Sequence, residues 1–161
     1  MKLSPKPLEE FGGWLRFFQV TQWIGVVVCV VAIPLFAIGV LYQLVEPSPK
    51  DGFEAFIALV DASLSLWIAW KILARLKDRD PAAPEEIVRW IKWSLVLAAA
   101  VLVLDGSVIA SLGSPAWTPE DLATLKMDSK SLQWGAIWWL YFKNSKRVRT
   151  YYGTSFGASS V

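Results

Sequence analysis

The chain has no histidine and a single cysteine, Cys29, among its 161 residues. Without histidine there is no His-ligated haem, no His-based catalytic triad and no imidazole proton switch. One cysteine excludes a disulfide framework within the chain and a cysteine-built zinc cage. Charge is also scarce, at 19 % of residues, against about 25 % in a soluble domain. A net charge of only +2 gives no footprint for nucleic acid. Apolar side chains are plentiful, at 55 %, with a mean hydropathy of +0.42. Such a chain does not stay disordered.

The apolar residues fall into long runs. Trp23–Val45 is an uncharged stretch of 23 residues, and about 20 cross a bilayer as a helix. Pro34 in its middle predicts a kink rather than a break, because neighbouring helices in lipid can satisfy the freed carbonyl. The second run, 53–76, carries Asp61 inside and Lys71 and Arg75 at its far end. The third, 87–111, follows Pro84-Glu85-Glu86, a favourable helix start, and carries Asp105. A fourth, 119–142, opens on Thr118-Pro119-Glu120-Asp121 as cap and first turn. Its first half is polar and its second half apolar. The expected fold is all-α: a polytopic four-helix transmembrane bundle. Residues 1–22 form an N-terminal interfacial segment, for which Arg16, Gln19 and Gln22 allow either a place on the membrane surface or an extension of the first helix, and 143–161 a basic, then flexible, tail.

Charge orients the bundle. Of the 16 basic residues, all but Lys50, Lys126 and Lys130 lie before the first span, around the second connection, or after the fourth span. The positive-inside rule therefore predicts that both termini are cytoplasmic. An even number of spans requires the termini to share a side, which supports the fourth. Trp14, Trp23, Trp67, Trp70, Trp90, Trp93, Trp138 and Trp139 fall towards that same side, as interfacial rings do. Trp117 marks the outer rim.

Two stretches carry a family resemblance. Gly12-Gly13-Trp14-Leu15 precedes the first span, and Trp138-x-x-Tyr141-Phe142-x-x-Ser145-x-Arg147-Val148 closes the last. Together they resemble the bacterial inner-membrane family catalogued as domain of unknown function 2569, whose members have similar length and four expected spans. The charged fourth segment and the glycine- and serine-bearing tail depart from that pattern. The resemblance implies a multi-pass protein of a bacterial cytoplasmic membrane and carries no activity or catalytic residues. Physically, Trp14, Arg16, Tyr141, Lys143, Lys146, Arg147 and Arg149 are expected to anchor the chain to anionic lipid or an acidic partner.

Asp61 and Asp105 are the costly residues, since a charge at mid-bilayer costs about 2.5–3.5 kcal/mol on insertion scales. Each lies beside small residues: Ala58, Ala62, Ser65 and Ala69 on one helix, Ser94 and Ala98 on the other. Lys126 and Lys130 sit one turn apart on the fourth segment. The expected site is a polar cluster of Asp61, Asp105, Lys126 and Lys130, with Ser63, Ser65, Ser107 and Ser111 as hydrogen-bond partners. No catalytic, cofactor-binding or metal-ligating residue is expected. The acids lack the Y-D and G-x-G-D surroundings of membrane aspartyl proteases, Cys29 reads as a packing residue, and Gly12-Gly13 is too short for a phosphate loop. The expected role is non-catalytic, as an accessory or assembly subunit or a small membrane module of a larger complex, with membrane lipids and another membrane protein or a second copy as partners. The alternative is a small oligomeric ion or solute transporter using the two acids.

Overall fold

A computed structural model describes residues 11–112 and 118–153. Four long helices follow one another: α1 (Trp14–Tyr42), α2 (Pro49–Leu76), α3 (Ala83–Leu112) and α4 (Pro119–Asn144). A short α5 (Lys146–Tyr152) follows, and there is no strand among the described residues. α1, α2 and α3 are each long and apolar enough to cross a membrane. α4, at 26 residues, is about 39 Å long at 1.5 Å per residue, but its charged first half keeps it from matching the other three.

The helix starts have local causes. Gly13 holds φ 57°, a conformation L side chains rarely adopt, and its carbonyl accepts the Phe17 amide at 3.0 Å. α1 therefore begins at Trp14, and residues 14–22 are its first turns rather than part of a separate surface segment. The helix runs unbroken past Pro34. α2 starts from Ser48, whose Oγ faces the Asp51 amide at 3.5 Å, with Pro49 at its first position. Gln43 Oε1 accepts the Ser48 amide at 2.8 Å and ties that cap to the end of α1. In the next connection, Asp80 Oδ1 accepts the Ala82 amide at 2.9 Å, just before α3.

Each long helix packs antiparallel beside its neighbour in the chain: α1 on α2, α2 on α3, α3 on α4. The backbones of α1 and α4 stay apart, and the two helices meet through rings at one end. That end holds the core: Leu15, Phe18, Leu76, Ile87, Phe142, Val148 and Tyr152 are almost wholly buried. α5 closes it. Ser145 caps α5, Gly153 ends it in a left-handed conformation, and the Tyr152 hydroxyl donates to the Leu76 carbonyl at 2.7 Å. Elsewhere the outer surface is apolar. Val27, Val28, Val31, Leu35 and Ile38 on α1 are all more than half exposed. A continuous apolar face of this kind is disfavoured in water and satisfied by lipid. The chain is a multi-pass membrane protein with at least three helices fit to span.

Candidate functional site

Within the four long helices lies a cavity of about 550 Å³. α1 contributes Phe18, Gln22, Gly25 and Cys29; α2 contributes Asp61, Ser65, Ile68 and Ile72; α3 contributes Ser94 and Ala98; α4 contributes Asp128, Ser131, Trp134 and Trp138. Of the small residues expected beside the acids, Ser65, Ala69, Ser94 and Ala98 line the cavity, whereas Ala58 and Ala62 do not. Phe17 and Trp134 line the cavity yet remain about half exposed, at 45 % and 54 %. The cavity therefore opens on the outside of the bundle, along the seam that α1 and α4 leave unpacked.

Two carboxyl groups, Asp61 and Asp128, line one end of this space, and a third, Asp105, stands near Asp128 outside the lining. Ser65, one turn along α2, lies within interaction range of Asp61. Asp105 on α3 and Asp128 on α4 lie within side-chain interaction range of each other. Both Asp61 and Asp105 also lie within electrostatic reach of Asp128. Asp128 Oδ2 is buried and has no hydrogen-bond partner among the described residues. Among the described residues, no lysine or arginine pairs with any of the three.

The structure thus brings Asp61 and Asp105 to one cluster and leaves Lys126 and Lys130 outside it. Both lysines are exposed. They lie two positions either side of Asp128, and two residues turn an α-helix by about 200°. A helix that aims Asp128 inward must aim both lysines outward. Asp128 is the member of the cluster that the charge pairing does not find, although the spacing Leu125, Asp128, Leu132, Gly135 already marks one helix face. Of the four serines, only Ser65 reaches an acid. Ser63, Ser107 and Ser111 are exposed and donate to carbonyls of their own helices, Leu59, Val103 and Ser107, at 2.6–2.7 Å.

The expected anchors gather at the α5 end. Trp14 is exposed, with its ring 6.2 Å from Trp138 and 6.5 Å from Tyr141. Arg16, Lys143 and Lys146 are exposed, while Tyr141, Arg147 and Arg149 are half-buried. Lys143 Nζ stands 5.3 Å from the Trp139 ring centre. The Arg147 guanidinium covers Gly13 so closely that a Cβ there would lie 3.5 Å from Nη1. The two resemblance-bearing stretches therefore pack on each other. Trp138 is an exception among the interfacial rings: it is buried, with Phe18 at 4.5 Å. Trp117 and the expected flexible tail beyond Gly153 lie outside the described residues.

No group of His, Cys, Asp or Glu side chains among the described residues is arranged to hold a metal ion. No family model, curated protein or solved structure matches the chain.

Proposed function

We propose that this is a small, non-catalytic four-span protein of a bacterial inner membrane that binds and exchanges a cation, a proton included, at Asp61, Asp105 and Asp128. One observation carries the reading: Asp61 and Asp128 line one cavity between the long helices and Asp105 stands near Asp128, with no described cation among the three. Ionised carboxylates only accept hydrogen bonds, so the Asp105–Asp128 contact contains a proton or gives way to a cation. Like charges at such a site oppose one another, and a buried charge without a partner is costly. A positively charged guest removes both penalties. The bacterial setting rests on the resemblance at Gly12–Leu15 and Trp138–Val148, and the fourth span on the length of α4.

The test is flux. Proteoliposomes carrying the wild-type chain are expected to dissipate an imposed proton or cation gradient faster than empty vesicles. Asp61→Asn combined with Asp128→Asn should reduce that rate at least tenfold, with helicity and yield unchanged. Equal flux from the double variant, or none from the wild type, overturns the proposal.

A second reading, an accessory subunit, has its own observation. Lys126, Lys130 and Gln133 form an exposed stripe on α4, facing away from the cavity. A stoichiometric membrane partner retained in mild detergent, and lost when both lysines become leucine, would favour it.

A further inference from the structure

Two of the cavity's four walls, α2 and α4, are graded along its length, while α1 and α3 add Thr21, Gln22 and Ser94 to the lining. On α2, Asp61 and Ser65 give way to Ile68 and Ile72; on α4, Asp128 and Ser131 give way to Trp134 and Trp138. Both helices thus run carboxyl, hydroxyl, then apolar in the same direction, towards the ring-filled end of the bundle. Ten residues separate Asp128 from Trp138, about 15 Å along the helix. The space is about 550 Å³, within the range of roughly 300–1,000 Å³ typical of sites for drug-sized ligands. A metal ion or a proton would occupy the carboxyl end and leave the aromatic end unused. The mouth lies on the lipid-facing side, where Trp134 is half exposed.

We infer that the cavity takes an amphiphilic organic cation, its ammonium group between Asp61 and Asp128 and its hydrophobic body along Trp134 and Trp138. This rests on the carboxyls being a cation seat, as proposed above, and adds the chemical class of the guest. An ammonium group offers charge to the carboxylates and N–H donors to them and to Ser65. The rings offer apolar area and quadrupolar faces to the remainder of the molecule. Entry from the bilayer suits a molecule that already partitions there.

The experiment is calorimetric titration of the whole chain in lipid nanodiscs with four probes: 4-phenylbutylammonium, tetramethylammonium, 4-phenylbutanol and sodium chloride. Saturable 1:1 binding of phenylbutylammonium is expected, at least tenfold tighter than tetramethylammonium, with none from the alcohol or sodium. Asp128→Asn should leave only non-saturable partitioning, and Trp134→Ala should weaken binding at least fivefold. The ligand series on the wild-type chain needs no variant to fold. If sodium or tetramethylammonium binds as tightly and with the same Asp128 dependence, this inference fails and the cation site stands. If the alcohol binds as tightly as the ammonium, the cavity is an apolar pocket and the inference fails. If no cation binds in an Asp128-dependent way, this inference fails, and the proposed function then stands or falls on the proton flux of the proteoliposomes.

Discussion

Tyr152 ties the last helix to the second through one hydroxyl. It is 1 % exposed, and it donates to the carbonyl of Leu76, the final residue of α2. Such terminal carbonyls have no partner within their own helix. Burial, with Tyr151, Asp78 and Tyr141 nearby, pushes the phenol above its ordinary range. Above about pH 10, an unfolded tyrosine loses its proton while the buried one keeps it. The unfolded state then binds fewer protons, so stability falls as pH rises. Below that pH the contribution is fully present. Tyr152→Phe is expected to cost about 1–3 kcal/mol at neutral pH, because the Leu76 carbonyl is left unpaired. It should also flatten the decline above pH 10. Thermal unfolding of both proteins in detergent from pH 7 to 11 tests this, and identical curves would remove the clasp from the account.

At the scale of the element, α4 carries two different faces. Leu125, Asp128, Leu132 and Gly135 recur at spacings of three and four and lie against α3, with Leu125 beside Gly106 and Gly135 beside Leu95. Lys126, Lys130 and Gln133 form the outer stripe. Both faces were legible in the sequence. Matching opposite charges led instead to the lysines, which the helix period places on the wrong side of Asp128. The apolar runs also announced the helices, because length and hydropathy are local properties. The cavity was not legible. It exists because the rings of Phe18, Trp138 and Phe142 hold one end of α1 and α4 together while their backbones stay apart, and no local pattern encodes that separation. Gly135 allows the α3–α4 approach: a Cβ there would stand 2.7 Å from Leu95 Cδ2 and 3.1 Å from Cγ. Alanine ordinarily favours a helix interior over glycine by about 1 kcal/mol. Here Gly135→Ala should reverse that sign and destabilise by about 1–3 kcal/mol through overpacking. Adding Leu95→Ala should recover part of the loss in a double-mutant cycle read by thermal unfolding. A stabilising Gly135→Ala would mean that α3 and α4 are further apart than described.

The whole molecule depends on whether α4 returns through the membrane. Three spans alone would leave the end of α3 opposite the start of α1. Yet α5, which follows α4, packs on the end of α2, and Arg147 covers Gly13 at the start of α1. Along the way α4 meets α3 at Gly106 and again at Leu95. α4 therefore traverses the full height of its neighbours, and the basic residues cluster at the end it reaches. The positive-inside rule predicts that this end is cytoplasmic. In a Cys29→Ser background, Glu46→Cys should react with a membrane-impermeant thiol reagent from outside sealed spheroplasts. Asp80→Cys and Asn144→Cys, at exposed positions of the other end, should react only after permeabilisation. Labelling of Asn144→Cys together with Glu46→Cys from outside would show that α4 does not cross. Asp128 would then meet water rather than hydrocarbon, and the three carboxyls would need no guest to offset their burial. The position of residue 144 thus decides both the span count and the physical ground for a cation site.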